Sequence, residues 1–487
     1  MSEQPPRASH DSGAPENLLR FMTTGWAVPP AASAAPIEGS AAFAARREAL
    51  SRAFPGETLI VPTGHEKTRA NDTAYRFRPG TAFYYLTGNV EPDNVLVLEP
   101  NAGGHDAVLY CEPNPGKTDA TFFTDRVKGE LWVGPRLGLD QTARRYGMKT
   151  KSLAAFADDL AQRLAHEPRR SLRGVDPQLD AALRADAERD AAFATVLSEM
   201  RLIKDEHEVG ELRGAIAATQ RGFDDVVRAL PGAATERVIE GVFNLRARVD
   251  GNDVGYNTIA ASGPNACTLH WTRNDREIGE NELVLVDAGV EAESLYTADI
   301  TRTLPASGTF TADQRAIYEL VLAAQDAAFA KCAPGNDFLA PNAAAMEVLA
   351  HGLERLGVLA SAAEALEDQN QFYKRYSLHN VSHMLGLDVH DCAQARAETY
   401  RFGALEPGMV LTVEPGLYFQ PDDLTVPARY RGIGVRIEDD VLITPTGVDI
   451  LSAAIPRTVD DVEAWVQSAR VANATATDTT TAMDRAQ

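Results

Sequence analysis

The feature that most constrains this chain is a set of acidic side chains inside apolar, strand-like runs. The upstream stretch, ELVLVDAGVEAESLYTADITRT, covers residues 282–303, and the downstream stretch covers residues 379–440. A carboxylate removed from water stays ionised only where a cation or hydrogen bonds hold its charge. The pattern therefore predicts a shared metal site. The candidate ligands are Asp287, Asp299, His383, Glu414 and Glu438.

The two aspartates flank a short polar segment. Asp287 follows the apolar run at 283–286, Asp299 precedes Ile300, and the segment between them, GVEAESLYTA, is polar enough for a hairpin turn. Side chains on paired strands can meet, so the pattern predicts that the two carboxylates approach each other. Taken singly, Asp287 could open an ordinary turn and Asp299 could lie on the surface.

Three histidines stand close together in HNVSHMLGLDVHD, at His379, His383 and His390. The spacing of the first two resembles a helical zinc site, but Gly386 and the alternation at 387–389 favour loop and strand. A single histidine here could be an ordinary core residue. Three so close together, in a chain with 10 histidines, favour a functional site.

The two glutamates lie at strand ends or inside a strand pattern. Glu414 follows VLTV and precedes Pro415, and Glu438 lies in IGVRIEDDVLI. Capping or an ion pair with Arg436 would explain either glutamate alone. Neither explanation accounts for all five candidates together.

The residue types indicate which metals would bind. Carboxylates with one imidazole suit Mn²⁺, Co²⁺, Fe²⁺ or Zn²⁺ in a paired site, and a thiolate-based zinc site is excluded. Two cations about 3.5–4 Å apart hold a hydroxide nucleophile near neutral pH. A neighbouring glutamate could accept the proton of the water, and histidines could polarise the attacked carbonyl. The sequence thus predicts a two-metal hydrolase.

The composition limits the binding partners and the cellular location that we expect for the protein. With 47 basic and 69 acidic residues the net charge is −22, which disfavours nucleic acid and anionic membranes as partners. The 4 cysteines form no CxxC pair, so reduced thiols are expected. No apolar run approaches the roughly 20 residues of a membrane span. We therefore expect a cytoplasmic protein.

The chain order predicts two domains between two tails. We expect flexible tails at 1–40, with one short helix near Phe21, and at 466–487. An α/β domain is expected at 41–203 and a catalytic domain at 204–465. In the first domain, strands are predicted at 57–64, 75–88, 94–100, 105–113 and 169–176, and helices at 153–165 and 177–200.

The second domain shows a weak internal repeat. A long helix at 205–230 ends at Pro231-Gly232 and is followed by a second helix to about 249. Another long helix at 311–331 ends at Pro334-Gly335 and is again followed by a second helix. Strand-rich segments with the candidate ligands come after each helix pair. The repeat predicts two similar halves facing each other across one site.

The motifs together resemble the Xaa-Pro aminopeptidases (aminopeptidase P), in the group that also holds prolidase and methionine aminopeptidase. The resemblance runs from about Arg76 to Arg457. It rests on YNTIAASGPNACTLHWT, VLVDAG, TADITRT, HNVSHMLGLDVHD, EPGMVLTVEPGLY and YRGIGVRIEDD. It implies a creatinase-like N-terminal α/β domain followed by a pseudo-symmetric pita-bread catalytic domain, of mixed α/β (α+β) class.

The resemblance also implies roles for the candidate residues. Two Mn²⁺ ions are expected, with Co²⁺, Zn²⁺ or Fe²⁺ as alternatives. Asp287 would chelate one metal, His383 and Glu414 the other, and Asp299 and Glu438 would bridge them. The residues implied in catalysis are Glu414 as general base, His270, His379 and His390 at the substrate, and Arg436 in support, with Tyr418 nearby.

The implied activity is release of the residue that precedes proline at the N-terminus of small peptides, by attack of a metal-bridging hydroxide. Prolidase, which cleaves only dipeptides, is the alternative, and a non-peptidase on the same fold is a third possibility. The serine of HNVSH and the LGLDVHD run favour aminopeptidase P, whereas IPRTVDDVEA resembles prolidase. The resemblance further implies a homodimer or homotetramer.

Overall fold

The chain forms two compact units, Met1–Ala194 and Thr195–Gln487. The computed structural model describes residues 13–27, 34–71, 73–161 and 168–484, with side chains as far as 471. Both predicted tails lie partly outside these residues. A helix at Glu16–Met22 falls in the first tail, as predicted near Phe21, and the last helix runs into the second tail. The predicted domain boundaries stay predictions.

The N-terminal unit is built on a five-stranded mixed sheet. Its strand order is β6-β5-β4-β1-β7, antiparallel in the centre and parallel at both edges. Ile60, Val97 and Tyr110 lie in its core. The strands are β1 (Thr58–Pro62), β2 (Thr68–Ala70), β3 (Thr73–Ala74), β4 (Val95–Asn101), β5 (Gly104–Cys111), β6 (Lys149–Ser152) and β7 (Arg169–Ser171). The helices are α1 (Glu16–Met22), α2 (Ser40–Ala53), α3 (Thr81–Thr87), α4 (Thr121–Thr124), α5 (Glu130–Val133), α6 (Leu139–Tyr146), α7 (Leu153–Asp159), α8 (Pro177–Ala182) and α9 (Ala187–Glu199).

Two sequence predictions in this unit are wrong. The segment predicted as a strand at 75–88 contains helix α3. Because this helix is buried on all sides, its apolar residues do not recur with the helical period that would have identified it. The single helix predicted at 177–200 is two helices, because Leu183 is extended. The Arg173 guanidinium donates to the carbonyl oxygens of Asp180 and Leu183, which satisfies the end of α8. Of the helix predicted at 153–165, α7 is described and residues 162–165 lie outside the described residues.

The second unit contains both predicted helix pairs. Long helix α10 is followed by α11, and α12 is followed by α13. Capping boxes start α10 at Asp205 and Glu208 and start α12 at Thr311 and Gln314. The helices are α10 (Glu206–Ala229), α11 (Glu236–Asp250), α12 (Ala312–Phe329), α13 (Ala340–Arg355), α14 (Ala362–Leu366) and α15 (Val459–Asp484). Among the described residues, none of the helices combines the length and apolar character that a membrane crossing needs.

Small antiparallel sheets follow each helix pair. The sheets are β9-β10-β12, β8-β11, β13-β16-β17 and β14-β15. The strands are β8 (Asp253–Val254), β9 (Ile259–Ser262), β10 (Leu283–Ala288), β11 (Val290–Glu291), β12 (Ile300–Pro305), β13 (Val410–Val413), β14 (Gly416–Tyr418), β15 (Gly434–Arg436), β16 (Asp439–Thr444) and β17 (Gly447–Ile450).

The connection between the two aspartates is more than a polar turn. Strands β10 and β12 pair as predicted, with Asp287 opposite Thr301. Within the connection, Val290 and Glu291 form strand β11 and pair with β8, and Tyr296 is buried. The segment is therefore packed into the fold, which restricts the positions of both aspartates.

The two halves of this unit share a hydrophobic core, and buried ion pairs also join them. Phe223 and Val284 of the first half lie in the same cluster as Val321 and Leu411 of the second. On β12, the Arg302 guanidinium lies 2.7 Å from Asp439 and also donates to the carbonyl oxygens of Glu438, Ile455 and Pro456. Arg302 and Asp439 are both 0% exposed. This network joins the halves next to the candidate ligand Glu438.

We expect Arg302→Met to destabilise the second unit by about 3–5 kcal/mol, because it leaves the Asp439 carboxylate buried without its cation. Arg315→Met is the matched control. Arg315 pairs with Glu463 near the surface, and its loss should cost at most about 1 kcal/mol. Urea unfolding followed by tryptophan fluorescence measures both. Equal midpoints for the two variants would contradict the argument.

Candidate metal centre

The five predicted ligands are positioned by strand ends and by one loop. Asp287 lies in β10 and Asp299 directly precedes β12, whereas Glu414 directly follows β13 and Glu438 lies between β15 and β16. His383 is carried by a loop that runs beside β13. This loop is held there by backbone bonds, from Thr412 N–H to the His383 carbonyl at 3.0 Å and from Glu414 N–H to the Val381 carbonyl at 2.8 Å.

The structure brings all five side chains together. His383 Nε2 lies 3.3 Å from Asp299 Oδ2 and 3.5 Å from Glu414 Oε1. Ligand atoms of Asp299, His383 and Glu438 all lie within 4.8 Å of one another, a spacing that a metal ion could bridge. Two of these three residues come from the second half of the unit and one comes from the first. The candidate site is therefore formed by both halves.

Tyr256 connects the two aspartates. Its hydroxyl oxygen lies 2.6 Å from Asp287 Oδ1 and 2.5 Å from Asp299 Oδ1. Burial and the two carboxylates raise the pKa of Tyr256 well above its usual value, so the phenol keeps its proton. One hydroxyl hydrogen serves only one carboxylate. The other carboxylate relies on the positive groups beside it, which are Arg436 at Asp287 and His383 at Asp299.

His383 is oriented as a metal ligand would be. Its Nδ1 lies 3.1 Å from the Met384 carbonyl oxygen, which only accepts, so Nδ1 donates and Nε2 points into the carboxylates. Burial disfavours the imidazolium, but the hydrogen bond to Asp299 and the charge of Glu414 outweigh it and raise the pKa of His383 to about 9. A proton on Nε2 thus occupies the position in which a metal ion would bind.

The carboxylates repel one another in the absence of positive charge. Burial, together with Asp299 and Asp287, raises the pKa of Glu414 to about 7. Burial, together with Asp299 and Glu414, raises the pKa of Glu438 well above its usual range. Burial also raises the pKa of Asp287, against the charge of Arg436. Divalent cations would relieve this repulsion, and hard oxygen donors with one imidazole suit them, so the residues present fit a metal pair.

Arg436 is the buried cation of the site. Its guanidinium donates to Asp287, to the Thr301 hydroxyl at 3.0 Å and to the Tyr418 hydroxyl at 3.0 Å. The Thr301 hydroxyl in turn donates to Glu438 at 2.6 Å. Arg436 therefore contacts one carboxylate directly and another through Thr301, which holds both in place.

His379 is neutral and connected to Arg436 through Tyr418. Its Nδ1 donates to the Asn380 carbonyl oxygen at 2.9 Å, and its Nε2 lies 2.8 Å from the Tyr418 hydroxyl. Burial, with the charge of Arg436, lowers the pKa of His379 to about 4. The Tyr418 hydroxyl therefore donates to Nε2 and accepts from Arg436.

The other two predicted histidines lie at the rim. The His390 ring meets that of His383 edge-on, with centroids 4.4 Å apart, and both His390 and His270 are exposed. Burial and the charge of His383 lower the pKa of His390, with a smaller contribution from His270. All residues predicted for the site thus lie in or beside one cluster.

Sequence reasoning missed Tyr256 and Glu236. Tyr256 begins the motif YNTIAASGPNACTLHWT, but nothing in the motif shows that its hydroxyl meets two aspartates. Glu236, fully buried at the start of α11, accepts hydrogen bonds from Ser262, Asn265, Trp271 and the Arg276 backbone N–H. It thereby holds the segment that carries His270. No local sequence signal distinguishes it from an ordinary first-turn glutamate.

A second missed group supports the histidine loop. Asp391, next to His390, lies 2.9 Å from the Arg201 guanidinium and 3.2 Å from the Lys204 ammonium. The Lys204 side chain is fully buried, and its backbone N–H donates to the Gly408 carbonyl. Arg201 lies 190 residues before Asp391 in the sequence, and Lys204 lies 187 residues before it. Only the tertiary structure therefore reveals the network.

Comparison with known proteins shows the family. The sequence model described as metallopeptidase family M24 matches residues 210–445, and that described as aminopeptidase P, N-terminal domain, matches residues 43–172. Xaa-Pro aminopeptidase 1 of Streptomyces coelicolor is 49% identical over 458 residues, covering 93% of this chain and 92% of that protein. The chain belongs to the Xaa-Pro aminopeptidases of family M24.

Further relatives in this aminopeptidase family agree in sequence and structure. Xaa-Pro aminopeptidase of Escherichia coli is 35% identical over 449 residues, covering 88% of this chain and 98% of that protein. The structure of aminopeptidase P from E. coli in its low-pH form superposes with a TM-score of 0.80, at 34% identity, over 88% of this chain and 99% of that one. The predicted fold class and the family resemblance are therefore confirmed. The chain is a metal-dependent hydrolase of peptides.

We expect Tyr256→Phe to weaken the affinity for divalent metal about 10- to 100-fold, because the hydroxyl that orients Asp287 and Asp299 is lost. Titration of Mn²⁺ into chelator-treated protein, followed calorimetrically, measures this. Tyr296→Phe is the control, since the Tyr296 hydroxyl donates to Glu208 instead of to a predicted ligand. Unchanged affinity in Tyr256→Phe would show that the aspartates need no such orientation.

Proposed function

We propose that the chain releases the N-terminal residue from peptides with proline in the second position. The observation that carries the proposal is the convergence of Asp299, His383, Glu414 and Glu438 from both halves of the unit. The relatives named Xaa-Pro aminopeptidase, which match almost the whole chain, support the substrate class.

The metal assignment is also a proposal. Asp287 would hold one cation, His383 and Glu414 the other, and Asp299 and Glu438 both, with Mn²⁺ as the native ion and Co²⁺, Zn²⁺ or Fe²⁺ as substitutes. A solved relative described as Zn-substituted E. coli aminopeptidase P in complex with product supports a site that accepts more than one metal. When bound, two such cations supply Lewis acidity and lower the pKa of a water molecule.

Glu414 is suited to move the proton. Its Oε1 lies 3.5 Å from His383 Nε2, inside the predicted ligand cluster, where the carboxylate would face the attacking water. Glu414 would accept the proton of the attacking water and pass it to the proline nitrogen, which leaves as an amine. The His379 side chain, which lies 3.5 Å from Glu414, stays neutral above its lowered pKa and does not compete for this proton.

The remaining residues would bind and orient the peptide. His379 lies 3.5 Å from Glu414 and the His390 ring meets that of His383, so these two histidines, with His270 at the rim, would contact the substrate around the scissile bond. Arg436 would keep Asp287 and Tyr418 in position. The acidic centre would attract the ammonium group of the peptide's N-terminus. By family likeness we also propose a homodimer or homotetramer.

Hydrolysis of a matched peptide set tests the proposal. Metal-free protein receives Mn²⁺ and then Ala-Pro-Ala, Ala-Ala-Ala or Ala-Pro. We expect release of alanine from Ala-Pro-Ala and much slower cleavage of Ala-Ala-Ala. Cleavage of Ala-Pro alone would identify a prolidase, and no cleavage of any peptide would overturn the assignment as a peptidase of Xaa-Pro bonds.

Glu414→Gln should lower kcat about 10²- to 10⁴-fold, because the amide cannot accept the proton. Glu406→Gln is a closely matched control, since Glu406 precedes the same Pro-Gly pair in EPGMV but is exposed. Its kcat should stay within a factor of two, roughly the range of a neutral surface change. Both variants should be folded by circular dichroism. Comparable kcat values in both variants would exclude Glu414 as the base.

A further inference from the structure

A cavity of about 480 Å³ opens beside the candidate metal centre. This volume falls within the range of about 300–1,000 Å³ typical of small-ligand sites. The cavity is lined by Leu269, Lys374, Arg375, Tyr376, Leu378, Tyr418 and Gln420. None of these side chains is among the predicted metal ligands.

The cavity shares a wall with the site. Leu269 directly precedes His270, and Leu378 directly precedes His379. The Tyr418 hydroxyl, 2.8 Å from His379 Nε2, also belongs to the hydrogen-bonded chain that reaches Arg436. A peptide held at the carboxylates and at these histidines therefore has this cavity next to it.

Part of the cavity wall is apolar. The Leu378 side chain lines the cavity and is 70% exposed. Tyr376 also lines the cavity and is almost fully buried, and its hydroxyl contacts Thr425 at 3.1 Å. A peptide side chain would bury these surfaces.

The charge at the edge of the cavity is positive. Arg375 is neutralised by two hydrogen bonds to Asp423, of 2.8 and 2.9 Å. Within the part of the chain that the structure describes, no carboxylate forms an ion pair with the neighbouring Lys374 ammonium. The Lys374 ammonium is therefore free to pair with an anion that enters the cavity.

The two charged regions orient a peptide. Its N-terminal ammonium is attracted by the carboxylates of the metal centre and repelled by Lys374. Its carboxyl-terminal part has the opposite preference. The free ammonium of the peptide would therefore bind at the metal centre, and a carboxylate of the peptide would bind near Lys374.

We propose that the cavity binds the part of the peptide that follows proline, and that Lys374 binds a carboxylate there. This inference rests on the proposed function. It assigns the substrates as tripeptides or longer peptides with an anionic group after proline. A dipeptide ends at proline and would leave the cavity empty.

Steady-state kinetics with paired substrates test the inference. Ala-Pro-Ala is compared with its C-terminal amide, and Ala-Pro-Glu-amide with Ala-Pro-Gln-amide. The wild type should prefer a carboxylate in at least one pair by about 2- to 5-fold, chiefly through KM, as expected for a partly exposed ion pair. A preference in the first pair would identify the terminal carboxylate as the group that Lys374 binds. A preference in the second pair would identify the side-chain carboxylate.

Variants identify Lys374 as the source of that preference. Lys374→Met should abolish it, Lys374→Arg should retain it, and Lys331→Met, at another exposed lysine, should leave it unchanged. If the wild type cleaves all four peptides without preference, or Lys374→Met keeps the preference, the inference fails and the proposed function stands. If the wild type cleaves none of them, the proposed function fails as well.

Discussion

Repulsion among buried carboxylates is the constraint on which the rest of the catalytic unit depends. Four acidic groups lie around one imidazole, and burial together with their mutual charge raises the pKa of Glu414 and Glu438. Such a cluster is stable only where positive charge and donated hydrogen bonds offset the repulsion. Arg436, Tyr256 and Thr301 provide part of this compensation. A metal pair would provide the remainder.

The same constraint explains why the two halves must be fastened to each other. Ligands from both halves have to meet within a few ångströms, so small shifts between the halves would separate them. The shared hydrophobic core resists such shifts, and the buried pair of Arg302 and Asp439 lies directly beside Glu438. A buried ion pair contributes little net stability compared with apolar packing, so its value here is in fixing one arrangement.

Charge is distributed unevenly around the site. Carboxylates dominate the centre, buried cations such as Arg436 and Lys204 hold the surrounding loops, and Lys374 stands at the edge of the adjoining cavity. This distribution suits a substrate with an ammonium at one end and a carboxylate at the other. It also gives the strongly acidic chain a local cationic feature that net charge alone would hide.

The sequence by itself determined the helix pairs and the strands around the site, and it named the five candidate ligands that the structure brings together. These follow from local patterns, because capping residues, apolar runs and acidic residues at strand ends act within a few positions of one another. Helix α3 escaped prediction because a helix buried on all sides has no amphipathic period. Only the tertiary structure decided the roles of Tyr256, Glu236 and the pair of Lys204 and Asp391. Their partners lie from 26 to 187 residues away, and no local rule specifies contacts at such separations.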